Sequence, residues 1–170
     1  MTAGWYKRLT LLCAVLLFGA MALQGCQTPP PPPPPGLSPE QVSALRGLGF
    51  IETDESWELD LAGQLQFDTD KDQLTEEDTA TIERVAGTLL SVGINKLRVE
   101  GHADNMGPEA YNVALSLRRA ETVARKFAEY GIPYENIQKR GMGVSHPIGD
   151  NKTREGRDQN RRAVIIVGNS

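Results

Sequence analysis

Apolar residues recur along this chain with two different periods, and their alternation predicts the fold. After Thr75, the residues Ile82, Val85, Ala86, Leu89 and Leu90 follow the three- and four-residue spacing of one helix face, up to Gly93. Thr75 is placed to cap that helix, with Asp78 three residues on as the returning acid of a capping box. A second stripe, Ala120, Val123, Ala124, Phe127 and Ala128, belongs to a helix that opens at Pro108, reaches Tyr130 and stops at Gly131. A shorter helix opens at Ser38-Pro39-Glu40, where a cap, a first-turn proline and an acid coincide. It runs to about Arg46.

Segments of strand character separate these helices. Residues 50–53 and 57–61 flank Asp54-Glu55-Ser56 as a hairpin, and residues 64–67 extend its second strand past a bend at Gly63. Residues 96–101 alternate, with Leu97 and Val99 on one side, and residues 137–140 form a short strand. Residues 164–167 are apolar without interruption, as in a central strand covered on both faces. The order is helix, hairpin, helix, strand, helix, strand, loop, strand. It predicts an α/β (α+β) two-layer sandwich, a mixed sheet with helices packed on one face.

The first 25 residues carry a different pattern. Lys7 and Arg8 precede an apolar run at 9–22, broken only by Thr10 and Gly19. At 14 residues the run falls short of the about 20 that a membrane span needs and reads as a secretory signal. Leu23-Gln24-Gly25-Cys26 then resembles the lipobox of bacterial lipoproteins. That resemblance implies cleavage before Cys26, lipid on its thiol and acylation of the new amino terminus; two or more acyl chains hold a membrane firmly where one does not. The next residue is Gln27 rather than Asp, which by the same resemblance directs the protein to the inner face of the outer membrane. The alternative is a secreted protein with a chance cysteine. Cys13 leaves with the signal and Cys26 is lipidated, so the domain is expected to hold by packing, without a disulfide. Residues 29–35 are seven prolines, a polyproline II spacer of roughly 20 Å in preference to a ligand for a proline-binding domain. The division is signal peptide at 1–25, lipidated cysteine and linker at 26–36, helix and hairpin at 37–63, and the main domain at 64–170.

Charge narrows the partners. The chain has 18 basic and 22 acidic residues, and removal of a signal carrying Lys7 and Arg8 leaves −6. An acidic domain poor in aromatic residues argues against nucleic acid and against an anionic membrane face. No cofactor or metal is implied.

The segment Glu100-Gly101-His102-Ala103-Asp104-Asn105, then Tyr111-Asn112 and Leu115-Ser116-Leu117-Arg118-Arg119-Ala120, resembles the peptidoglycan-binding C-terminal domain of OmpA and of the peptidoglycan-associated lipoprotein Pal. Phe67-Asp68, Gly141-Met142-Gly143, Pro147, Asn151-Lys152-Thr153, Gly156-Arg157 and Asn160-Arg161-Arg162 continue the resemblance in register, over roughly residues 65–167. It implies non-covalent binding of the diaminopimelate in the wall's stem peptide. Asp104 matches the acid that holds the ligand's ammonium, and Arg119 the guanidinium that holds its carboxylate. The chemistry is sound by itself, since a zwitterionic end needs an anion and a cation held apart, and a guanidinium fork takes a carboxylate in two parallel bonds. Backbone amides near Gly107 and Pro108 add donors. Asn112 and Tyr111 match positions beside the pocket, and Asp70 is a candidate to line it. Arg118 is expected to form an ion pair or face water, and Asn160, Arg161 and Arg162 to brace the loops.

Within the family the chain is most similar to the YfiB subfamily, lipoproteins of a cyclic-di-GMP control system. The residues that carry this are the stretch 37–50, the strand around Trp57, Asn151-Lys152-Thr153 and Asn160-Arg161-Arg162. The similarity implies that Val42, Leu45, Leu48 and Phe50 present an apolar patch to the periplasmic repressor YfiR, freeing the inner-membrane diguanylate cyclase YfiN. The same four residues can instead fold back on the domain. A homodimer is a further option. Two rivals remain: a passive tether partnered with Tol proteins, and a wall hydrolase using His102, Asp104 and His146, which could also bind zinc. Neither histidine has a nucleophile beside it in sequence, and the expectation is that the protein is not an enzyme.

Overall fold

The computed structural model describes residues 36–62, 65 and 67–168. The signal, Cys26 and the proline run lie outside the described residues, as do Gly63, Gln64 and Gln66 of the extension read into the second strand; Leu65 and Phe67 join no strand.

Helix α1 (Pro39–Leu48) begins with a reciprocal cap: Gln41 N donates to Ser38 Oγ and Ser38 N to Gln41 Oε1. It runs two residues past the expected Arg46 because the stop is Gly49, in the left-handed region at φ 91°. Strands β1 (Ile51–Glu52) and β2 (Ser56–Asp60) form the hairpin. Helix α2 (Glu76–Ser91) carries the box read in the sequence, with Asp78 N donating to Thr75 Oγ1 at 3.2 Å and Thr75 N to Asp78 Oδ2 at 2.7 Å. Strand β3 (Leu97–Gly101), helix α3 (Glu109–Glu129) and strand β4 (Ile137–Gly141) follow. A short helix α4 (Arg154–Asn160) then precedes strand β5 (Ala163–Gly168). Residues 154–160, expected as loop, form this helix; seven residues without an apolar stripe carry no periodicity that would announce it.

The sheet order is β1-β2-β5-β3-β4, with β3 and β4 parallel and all other neighbours antiparallel. As its unbroken apolar run predicts, β5 is central and buried from Ala163 to Val167. One face of the sheet, with Trp57, Leu59, Leu97, Val99, Ile165 and Val167, shares a core with Ile82, Val85 and Leu89 of α2 and Val123 and Phe127 of α3. Burying each such side chain contributes about 1.5–3 kcal/mol.

The two ends of the sheet differ. Gly101, Gly141 and Ala163 lie in register at one end. There α3 presses backbone to backbone on the strands: a Cβ on Gly101 would sit 2.0 Å from Ser116 O, and one on Gly141 2.6 Å from Val113 O. Ser56 pairs with Gly168 at the other end, where Gly36 and Leu37 line a cleft with Ser56, Leu97 and Gly168.

Candidate functional site

The glycine end of the sheet gathers the loops that carry the predicted site. Asn112, Ser116 and Arg119 share the inward face of α3, three and four residues apart, and all are buried. Each ties down a different loop. Asn112 Nδ2 donates to Met106 O at 3.0 Å, and Ser116 Oγ accepts from Gly143 N at 2.8 Å. Arg119 has no exposed surface and gathers three carbonyls at 3.0 Å each, with Nε donating to Lys71 O, Nη1 to His102 O and Nη2 to Asp68 O. Its guanidinium stands 5.0 Å from the centre of the Phe67 ring. Burial pulls its pKa down to about 10, and the neighbouring Arg161 cation adds to this, while Asp104, Asp70 and Asp72 oppose it. At neutral pH the group remains a cation.

Asp104 is also buried, at 5% exposure. Met106 N donates to its Oδ1 at 3.0 Å and Arg161 Nη1 to its Oδ2 at 2.8 Å. Arg161 donates Nε to Phe67 O at 2.9 Å and Nη2 to Asp158 Oδ1, so one side chain links three segments. Asp104 and Arg119 therefore meet at one place: Arg119 holds the carbonyl two residues before Asp104, and the Asp104 charge helps keep the guanidinium protonated.

The remaining candidates spread around this centre. Gly107 is exposed, at φ 85°, just before α3. Tyr111 is exposed, with the Arg118 guanidinium 5.9 Å from its ring centre. Arg118 Nε pairs with Asp72 Oδ2 at 3.1 Å. Asp70 is exposed, in the left-handed region at φ 59°. Asn160 braces the late loop, accepting from Ile148 N and Gly149 N and donating to Gly149 O and Asn151 Oδ1. Arg162 pairs with Asp60 Oδ2 at 2.9 Å. Sequence reasoning placed Arg161 among the braces. It did not see that Arg161 is also the counter-ion of Asp104, 57 residues away, and no local pattern encodes that pairing.

The apolar patch expected on the first helix is not displayed. Leu45 and Phe50 are buried in the domain's own core, and Val42 and Leu48 are half-buried against it. The stripe was correctly amphipathic, but its partner in this conformation is α2 and the sheet. Gln41 Nε2 adds a bond to Val92 O at the end of α2.

His102 is buried, with Nδ1 3.4 Å from Ser145 O. Burial, with a further push from the Arg162 cation, lowers its pKa to about 4. Among the described residues no three His, Cys, Asp or Glu side chains are grouped to hold a metal ion.

The chain is similar to known proteins over most of its length. The family model described as the OmpA family matches residues 66–161. The outer-membrane lipoprotein YfiB of Pseudomonas aeruginosa is 48% identical over 157 residues, covering 92% of this chain and 92% of that protein. The putative lipoprotein YfiB of Escherichia coli is 38% identical, covering 92% and 96%. The crystal structure of the peptidoglycan-associated lipoprotein from Burkholderia pseudomallei superposes with a TM-score of 0.57 at 26% identity, over 61% of this chain and 88% of that one. With the family model spanning more than half its length and relatives matched nearly end to end, this chain belongs to the OmpA family.

Proposed function

We propose that this outer-membrane lipoprotein, facing the periplasm, binds peptidoglycan non-covalently through the diaminopimelate of the stem peptide. One observation carries the reading: Asp104 and Arg119 lie together at the loop end of the sheet, and each has hydrogen-bonding capacity to spare. A guanidinium has five N–H donors, and the three carbonyls use three, leaving two for a carboxylate. Each Asp104 oxygen accepts one bond and keeps a lone pair, so an ammonium can join without displacing Arg161. Because Arg119 has no exposed surface, the ligand carboxylate reaches it only when the loop at 68–72 shifts. Asp70, exposed at φ 59°, lies in that loop. Gly107 and Tyr111 stand at the rim, and Asn112 fixes the loop between them and Asp104.

The test is co-sedimentation of the full-length protein in detergent with purified sacculi. Wild type should pellet, whereas Asp104→Asn and Arg119→Ala should stay largely in solution. Arg119→Ala also removes three loop contacts, so the nearly isosteric Asp104→Asn decides. If it pellets as wild type does while retaining the wild-type melting curve, the site is wrongly assigned.

The finer reading is that wall binding is coupled to capture of the repressor YfiR, which frees YfiN. Its support is the likeness to two relatives named YfiB, together with α1 and the turn after it, whose Leu45 and Phe50 would become available if this segment lifted off α2. A calorimetric titration with YfiR, with and without peptidoglycan fragments, should show binding. Recovery of Tol components from envelope extract instead would make the protein a tether. The hydrolase reading has a neutral, buried His102 as its best base, with its ring turned to a backbone carbonyl.

A further inference from the structure

Beside the Asp104 site lies a groove of about 430 Å³, between residues 67–69 and α4. Arg154, Arg157 and Arg161 line it together with Asp68 and Asp158. Arg161 is common to groove and site, since its Nη1 holds Asp104. The two acids of the groove are already matched: Asp68 with Lys71 at 2.8 Å, and Asp158 with Arg161. Arg161 serves both Asp104 and Asp158, so Lys71, Arg154, Arg157 and Arg161 exceed Asp68, Asp104 and Asp158 by one positive charge. Arg154 is 85% exposed and only approaches Asp158, at 4.0 Å. Arg157 is half-buried and donates Nη1 to a neutral carbonyl, Asn151 O, at 3.0 Å.

Arg157 is also held in position relative to the neighbouring site. The residue it binds, Asn151, accepts from Asn105 N at 3.2 Å, next to Asp104, and from Asn160 Nδ2 at 2.9 Å. A concave surface with surplus positive charge, held in place at Arg157, is suited to an anion, and a guanidinium fork suits a carboxylate. A stem peptide whose diaminopimelate end sits at Asp104 carries further carboxylates, on its glutamate and at its chain end.

We propose that this groove receives a second carboxylate of the same wall peptide, gripped by Arg157 and Arg154, so that the protein selects stem peptides with free carboxylates over amidated ones. The inference rests on the wall-binding reading above. It is tested by calorimetry on full-length protein in detergent with two peptides. One is L-alanyl-γ-D-glutamyl-diaminopimelyl-D-alanine; the other is the same peptide amidated at the glutamate α-carboxylate and the chain end. Wild type should bind the free acid about tenfold more tightly, the size of one charge-assisted contact. Combining Arg154→Gln with Arg157→Gln should erase that preference and leave affinity for the amidated peptide unchanged. Equal binding of both peptides by wild type would overturn the groove, as would a preference that survives the double substitution. An equal loss for both peptides would also overturn it, by assigning Arg157 to loop bracing. If wild type binds both peptides equally and Asp104→Asn loses both, wall binding stands and the groove alone falls. If wild type binds neither, both readings fall.

Discussion

The layer between sheet and helices and the loop end that carries Asp104 are held by different forces. Between α2, α3 and the sheet the contacts are aliphatic and aromatic, with Ile82, Val85, Leu89, Val99, Val123, Phe127 and Ile165 at 0% exposure. At the loop end the largest fully buried side chain is a cation, Arg119, and the segments are tied by guanidinium donors to backbone carbonyls. The first region is non-directional and forgiving of pH. The second is directional, and removing one partner strands several buried polar groups. The site proposed above draws on the second kind of order, which holds Asp104 and Arg119 near one another.

The largest effect expected is on the apolar side. Phe127→Ala should cost about 3–5 kcal/mol in urea unfolding, with a wild-type pH profile and with sacculus binding kept by the folded fraction. Loss of wall binding in protein that is still folded would mean the two regions are not separable. Next is Arg119→Lys, which keeps the charge but cannot reach three carbonyls. It should cost about 3 kcal/mol, and a cost below about 1 kcal/mol would show that the guanidinium does not hold the loops. The smallest effect is a pH response. Folded His102 titrates near 4 against 6.5 for the ordinary imidazole. Between those values the unfolded chain binds a proton that the folded one refuses, so stability is whole above 6.5 and declines as pH falls through the window. The decline should reach about 2 kcal/mol at pH 5. His102→Gln should flatten it, and an unchanged slope in that variant would place the acid sensitivity elsewhere.

What the sequence revealed follows the same division. The stripes of α2 and α3, the capping box at Thr75 and the unbroken apolar run of β5 are local patterns, and each appears in the fold where it was read. At the loop end little is local. Of the Arg118-Arg119 pair, Arg119 lies four residues before Val123 on the apolar side, but its role came from the resemblance; the structure buries it while Arg118 faces Asp72. The Arg161 bond to Asp104 depends on β5 inserting between β2 and β3, a long-range pairing that no spacing announces. For α1, the pattern identified the apolar side but not what would cover it, because a core and a partner protein demand the same residues.

Gly36, the first of the described residues, lines a cleft with Ser56 and Gly168, whereas Asp104 follows the opposite end of β3. If Asp104 makes the wall contact proposed above, a pull between these two ends runs along the strands. In that direction the rungs between β5 and its neighbours slide against one another and share the load, rather than parting one by one.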